Sequence, residues 1–281
     1  MEKIANIKKQ RTMVLNVDPS GIPRLVGDNT PENITLVPGQ LAGLTEGVWA
    51  LGGNDTVSGS SDAELIYGND DRDSILGGGG NDSLFGGKGN DDILAESGDD
   101  ILTGEKNRDF LDGGSGNDFL RGGAGVDLLV GGEGNDTLIG DKDVDIYKGG
   151  VGNDVFVFRA DQAGARTLGI ELPDAVIVDF NKSDDLIGLT GGVSARILSF
   201  EEVSLSLNDP RILLLDPGVI EDGTSFLAKG GISQRDLDPD GNGKVEATYI
   251  RFGFTNALLG AVLNVTPADL TDRFVAADSL L

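Results

Sequence analysis

Apolar side chains return every nine residues through the middle of the chain, at Val57, Ile66, Ile75, Leu84, Ile93, Leu102, Leu111, Leu120, Leu129, Leu138, Tyr147 and Phe156. Two positions before each stands an acid: Asp55, Glu64, Asp73, Asp82, Asp91, Asp100, Asp109, Asp118, Asp127, Asp136, Asp145 and Asp154. Residues 50–157 therefore divide into twelve nine-residue windows without insertion or deletion. The last three residues of a window are too few for a helix and suit a short strand whose middle, eighth-position side chain points inward. One window is then half a coil of a solenoid, and two windows, eighteen residues, close a coil. Twelve windows make six coils, stacked over roughly 28 Å at about 4.7 Å per strand.

The polar remainder of each window follows G-G-x-G-x-D, complete in the windows that begin at Gly77, Gly86, Gly113, Gly122, Gly131 and Gly149. Glycines at the first, second and fourth places are expected to let the backbone take positive φ in a tight turn. Six windows depart from the rule. Ser60, Asn69, Glu96, Glu105 and Asp141 replace the second glycine, and Asp62, Asp71, Asn107 and Asp143 the one at the fourth place.

Stacking eighteen-residue coils raises an electrostatic problem. One edge carries Asp55, Asp73, Asp91, Asp109, Asp127 and Asp145, the other Glu64, Asp82, Asp100, Asp118, Asp136 and Asp154. At a spacing of about 5 Å and an effective dielectric near 20, adjacent carboxylates repel by roughly 3 kcal/mol. A cation between them is required. Carboxylates with turn carbonyls make a hard, all-oxygen shell that favours several Ca²⁺ ions over Mg²⁺, which demands a strict octahedron. The candidate ligands are the eleven sixth-position aspartates and the turns formed by Gly78, Gly80, Gly87, Gly89, Gly114, Gly116, Gly123, Gly125, Gly132, Gly134, Gly150 and Gly152.

In these residues the array is similar to the calcium-binding repeats-in-toxin (RTX, hemolysin-type) family. The resemblance implies an all-β, right-handed parallel β-roll with Ca²⁺ between stacked turns. It also implies export by a type I system that reads an uncleaved C-terminal signal, and so an extracellular protein. The stretch from Asp174 to Leu189 is similar to the segment that follows the last repeat in that family, and is expected to continue and close the roll.

Composition agrees with a solenoid rather than a disordered linker, because the glycines of the array fall in strict register. Net charge is −25, and the array alone holds 23 acids against 7 bases, which disfavours nucleic acid as a partner. No apolar run is long enough to span a membrane, and Met1 to Val17 lacks the apolar stretch of a signal peptide. With neither His nor Cys, the usual zinc sites and Ser-His-Asp or Cys-His arrangements cannot be built. Acids are abundant enough for a glycosidase pair, but the repeat accounts for nearly all of them.

Three regions follow: 1–49 as an N-terminal cap, 50–157 as the roll, and 158–281 as a C-terminal β region that closes it and carries the export-signal candidate from Asp269 to Leu281. Strands are expected at Thr12 to Val17, Asn33 to Val37, Val176 to Phe180, Leu186 to Leu189, Val203 to Leu207, Ile212 to Leu215, Val245 to Phe252 and Leu258 to Val265. Two further metal candidates lie here. Asp179, Asp184 or Asp185 could hold a last ion, and Asp236 to Asn242 resembles half an EF-hand loop, although Ala247 stands where a bidentate Glu is needed. Outward residues suggest a surface: Phe110, Leu128 and Ile146 are expected to stack in one exposed column and Tyr67 and Phe85 in another, offering apolar ladders for self-association or docking.

The combined expectation is a secreted, non-enzymatic calcium-binding protein with a structural or adhesive role that folds on meeting extracellular Ca²⁺. One alternative is a secreted hydrolase using the repeats as an export and folding module, disfavoured by the mere 49 residues ahead of the array. Another is a calcium-dependent binder of a glycan or surface protein, which shares every feature with the first.

Overall fold

The structure is a computed structural model and describes residues 21, 24–159, 166–167, 170–171, 173, 175–191, 195, 198–206, 226–252 and 257–278. Two parallel sheets face each other across the chain's core, and successive windows alternate between them. One runs through Leu65–Asp70, Ser83–Lys88, Ile101–Lys106, Phe119–Ala124, Thr137–Lys142 and Val155–Phe158. The other runs through Thr56–Ser58, Ser74–Gly79, Asp92–Ser97, Phe110–Ser115, Leu128–Glu133 and Asp145–Val151. Each strand pairs with the one eighteen residues on, so Leu84 faces Leu102 and Leu111 faces Leu129 in register. The architecture is the all-β parallel solenoid that the spacing predicts.

All twelve eighth-position residues, from Val57 through Phe156, are at most 2% exposed and form one cluster between the sheets. With one side chain per window, the core is thin. It thickens only at the far end, where Tyr147, Phe156, Phe158 and Phe180 stack with centroids 6.0–6.4 Å apart. The Tyr147 hydroxyl, buried with them, accepts the Gly140 N–H at 2.6 Å.

The strands are longer than expected. Ser83–Lys88 takes the last three residues of one window and the first three of the next, so the first two glycines lie within the strand and only the fourth to sixth residues turn. The reason is that the backbone at these glycines keeps its ladder to the neighbouring coil, as Gly87 does with Asn69 and Glu105.

At the N-terminal side Leu25–Val26, Asn33–Thr35 and Val48–Gly52 continue the two sheets and bury Leu25, Ile34, Leu36 and Val48 on the first coil. Beyond the array, Ala175–Ile177 and Leu186–Leu189 add parallel strands to the two sheets. Ala257–Leu263 adds another and then pairs antiparallel with Lys244–Phe252, which pairs in turn with Leu198–Ser206. Phe274–Ala276 pairs with Leu186–Leu189, so part of the export-signal candidate is a strand of the roll. The expected strands Thr12 to Val17 and Ile212 to Leu215, with Leu207, Leu280 and Leu281, lie outside the described residues. Among the described residues no helix is long and apolar enough to cross a membrane.

One expectation fails. Phe110, Leu128 and Ile146 do stack in register, but they are buried rather than exposed, Leu128 and Ile146 completely. Leu227, Ile232, Leu237 and Val245 pack over them in one cluster. The Lys148 ammonium donates to the Gly230 carbonyl at 3.1 Å, and Lys229 forms an ion pair with Asp92, fastening that segment to the sheet. This column is therefore an internal interface, and it offers nothing for self-association. The other ladder remains half-exposed: Trp49, Tyr67 and Phe85 stack with successive centroids 4.8 Å apart, and the Arg24 guanidinium lies 4.5 Å over Trp49. Leu128→Ala should consequently cost about 2–5 kcal/mol, the range for emptying a well-packed leucine site. Denaturant unfolding of variant and parent at one fixed calcium concentration measures it; a loss below about 0.5 kcal/mol would mean that the C-terminal cover does not pack as described.

Candidate metal centre

The turns set the sixth-position carboxylates inside the roll. On each edge the backbone N–H of one acid donates to Oδ1 of the acid one coil later. Asp82 reaches Asp100 at 2.7 Å, Asp100 reaches Asp118 at 2.8 Å, Asp118 reaches Asp136 at 2.9 Å and Asp136 reaches Asp154 at 3.0 Å. The opposite edge does the same from Asp55 through Asp73, Asp91, Asp109 and Asp127 to Asp145, at 2.8–3.0 Å. Glu32 starts this second ladder by donating to Asp55, and Asp185 ends the first by accepting from Asp154.

One oxygen of each carboxylate is thus satisfied, and the other is not. Oδ2 of Asp55, Asp73, Asp82, Asp91, Asp100, Asp109, Asp118, Asp127, Asp136 and Asp154 is buried without a hydrogen-bond partner. These residues are 0–2% exposed. A buried carboxylate oxygen without a partner is costly unless a cation or a proton meets it. Glu64 differs, because Ser60 donates to both of its oxygens, through the hydroxyl and the backbone N–H. Asp145 is in the ladder but is absent from the orphaned set.

Burial, more than repulsion between neighbours, raises these carboxyls. Desolvation pushes Asp73 up to about 8, Asp109 to about 9, and Asp55, Asp82, Asp91, Asp118, Asp127 and Asp154 to about 7, while the backbone N–H bonds pull the other way. Asp136 rises to about 6, and Asp100 and Asp145 rise for the same first reason. Repulsion from the neighbouring rung comes second only at Asp109 and Asp145. The N–H between successive rungs softens the stacked charge that the spacing alone suggests.

Glycine serves two purposes here, not one. At the second place it takes positive φ, +115° at Gly132, and an added Cβ would run into the Gly114 carbonyl of the preceding coil. Where this glycine is lost, Glu96 and Glu105 adopt φ of 74° and 77° nevertheless, so the stack imposes the turn on residues that disfavour it. The fourth-place glycines other than Gly89, such as Gly116 and Gly134 at +133°, behave like the second. The first glycine has no positive φ. Its role is space: a Cβ at Gly131 would overlap Oδ2 of Asp136, and one at Gly113 would overlap Oδ2 of Asp118. In two windows Ala50 and Ala95 accommodate a methyl at this place.

The donor set is all oxygen and suits a hard divalent cation such as Ca²⁺. Among the described residues no three Asp, Glu, His or Cys side chains converge on one point, so turn carbonyls would have to complete a shell begun by carboxylates of successive coils. A bound ion would supply the positive charge that each orphaned Oδ2 lacks.

Neither further candidate shows such an oxygen. Asp179 accepts the Gly149 and Gly150 N–H groups, both at 2.9 Å, and Asp185 accepts from Asp154 and Asn181, so both carboxylates close the roll's end. Asp184 accepts from the Asn181 side chain. In the EF-hand-like stretch Asp238 accepts the Asn242 and Gly243 N–H groups, Asp240 accepts from Asn242, and Asp236 accepts from Ser233. These carboxylates fold the loop on itself, ahead of the strand Lys244–Phe252.

The pattern G-G-x-G-x-D leaves the fifth place open, yet it carries structure. Asn117, Asn135 and Asn153 form a second ladder in which the backbone N–H of each donates to the side-chain oxygen one coil earlier, Asp99 for the first, at 2.8–3.0 Å, and each side-chain amide adds a parallel bond. Asn at six of the twelve fifth places was the available signal.

The family described as RTX calcium-binding nonapeptide repeat (4 copies) matches residues 49–84, 58–93, 85–120, 94–129 and 121–156. No curated protein matches the chain.

Raised carboxyl pKa values make a specific demand on the metal-free roll. The folded state holds protons that the unfolded chain, with carboxyls near 3.9, releases. Its stability is therefore greatest below about pH 4 and falls as pH rises through the folded values of about 6 to 9. In excess chelator, circular dichroism should show a larger β signal at pH 5 than at pH 8. Asp118→Asn, which keeps the acceptor for Asp100 and removes a buried charge, should raise the β signal at pH 8. A signal that is flat or rises with pH would contradict the burial account.

Proposed function

We propose, from the premise that residues 49–156 are an array of RTX calcium-binding nonapeptide repeats, that the protein is secreted and that calcium outside the cell folds it. Its role is structural or adhesive rather than catalytic. The observation that carries this reading is the row of ten buried, unpartnered aspartate oxygens inside the turns.

The energetics favour a switch. The array has 23 acids, 7 bases and a core one residue thick, so self-repulsion, desolvation and the chain entropy of a glycine-rich segment all oppose folding without metal. Extracellular modules bind Ca²⁺ with Kd of roughly 10⁻⁴ to 10⁻³ M. At ten times Kd each site adds about 1.4 kcal/mol, and a handful of sites reaches the roughly 5–15 kcal/mol that keeps a domain folded. Sub-micromolar calcium inside a cell contributes almost none of this. The chain stays unfolded and exportable there, and the coils assemble outside.

The C-terminal cover joins the same transition, because Leu227 and Ile232 share their apolar cluster with Phe110, Leu128 and Ile146, a column that exists once the coils are stacked. A calcium titration followed by circular dichroism should show one cooperative gain of β signal, complete at millimolar calcium. A full β signal in excess chelator, unchanged by millimolar calcium at pH 8, would refute the switch.

A further inference from the structure

The half-exposed aromatic ladder ends inside the sheet. Ninth-position residues follow one another in register as Trp49, Tyr67, Phe85, Thr103 and Arg121. Phe85 stacks on Tyr67 with 15° between the ring planes, and on its other side the column continues with the short Thr103. Beside this column runs another, of third-position residues: Asp70, Lys88, Lys106, Ala124 and Lys142. It is interrupted once. Gly123 and Ala124 lie between Glu105 and Lys106 of the preceding coil and Asp141 and Lys142 of the next. The side-chain volume missing there leaves a cavity of about 560 Å³, lined also by Phe85, Thr103, Arg121 and Arg159. A smaller cavity of about 220 Å³ shares Phe85, Glu105 and Lys106 with it and reaches back to Tyr67. The two make a groove that crosses successive coils.

The charge of this groove runs against that of the chain. Four cations, Lys106, Arg121, Lys142 and Arg159, line the larger cavity with two acids, Glu105 and Asp141, in a protein of net charge −25. Asp141 is engaged, because Arg121 and Arg159 both close on it. Lys106 and Lys142 are exposed and form no ion pair among the described residues. They stand two coils apart, roughly 10 Å between backbones at about 4.8 Å per strand, so both ammonium groups can reach one anion held between them. Charges further away count for less, since the screening length is about 8 Å at physiological ionic strength.

We propose that this groove binds an acidic polysaccharide, with one sugar ring on the face of Phe85 turned from Tyr67, its carboxylate between Lys106 and Lys142, and a hydroxyl donating to Glu105. The lining matches that ligand part by part. A pyranose ring presents C–H groups to the negative face of an aromatic ring, a uronate supplies the anion, and sugar hydroxyls supply donors for an exposed carboxylate. The phosphodiester backbone of DNA would bring only acceptors and like charge to Glu105. A linear polymer lying along the roll also meets one coil after another at a constant rise. This deepens the adhesive reading by giving it a partner, and it rests on that reading in requiring the folded coils.

Calorimetry of the full chain in millimolar calcium chloride tests the proposal, with a short oligogalacturonate, a neutral malto-oligosaccharide of the same length and single-stranded DNA as probes. The oligogalacturonate should bind about tenfold or more tighter than either of the others; equal binding of one of them would overturn the assignment. Lys106→Gln, Lys142→Gln should weaken binding by about tenfold or more. Lys244→Gln, at an exposed lysine on the other sheet, should leave it unchanged. Ala124→Lys separates a built site from general attraction. It places in the gap the residue that already stands on both sides of it, adding a positive charge while filling the cavity. Affinity should therefore fall, and a rise would overturn the groove. Circular dichroism in the same buffer shows whether the coils are formed. A full β signal in the parent without oligogalacturonate binding would overturn this proposal alone, whereas a β signal indifferent to calcium counts against the folding switch and leaves the titrations to decide the groove.

Discussion

The rest of this structure depends on a carboxylate buried in every turn. A nine-residue half-coil has only one inward apolar side chain, so the turns themselves must lie inside the stack, and each places an acid there. One oxygen is met by the backbone N–H of the preceding coil, which fixes the vertical register of the turns as firmly as strand pairing fixes that of the sheets. In ten of the twelve turns the other oxygen is met by nothing in the protein. This incomplete bonding makes the fold conditional on a cation or a proton, and it follows from burial rather than from crowding of like charges.

Around that constraint the other residue choices fall into place. The first glycine leaves room for the free oxygen, and the second and fourth accept the positive φ that close stacking requires. Fifth-place asparagines on one edge run a ladder of their own just outside the carboxylates. At the two ends the carboxylate pattern is terminated by residues whose oxygens are fully engaged: Glu64 with Ser60 near the start, and Asp179 and Asp185 with backbone N–H groups near the finish. Aromatic rings of Tyr147, Phe156, Phe158 and Phe180 then plug the far end with far more apolar surface than a single leucine offers.

The C-terminal region is more than a stopper. Its strands extend both sheets, and its segment around Leu227 and Ile232 covers the outward column of Phe110, Leu128 and Ile146. Lys229 and Lys148 tie it down from opposite directions, one reaching into the sheet and the other out of it. A parallel solenoid has open strands at its ends and unpartnered faces, and here the chain covers one such face with its own sequence.

Much was legible in the sequence because a repeat makes local spacing and tertiary position the same thing. A nine-residue period placed Val57 through Phe156 in the core and sorted the sixth-place acids onto two edges, since residues eighteen apart can only stack. The donor type followed from composition, as a chain without His or Cys can offer a metal only oxygen. What tertiary structure decided lies wherever partners come from outside the repeat or depend on direction. Phe110, Leu128 and Ile146 read as exposed because nothing in the array shows that residues about a hundred positions later will lie on them. Asp179, Asp185 and Asp238 stay open as ligand candidates in the sequence, because spacing records which oxygens are present, and not which N–H groups have already taken them. The first glycine was assigned to backbone freedom when its purpose is space for a neighbour's oxygen, a distinction that appears only once side chains occupy volume.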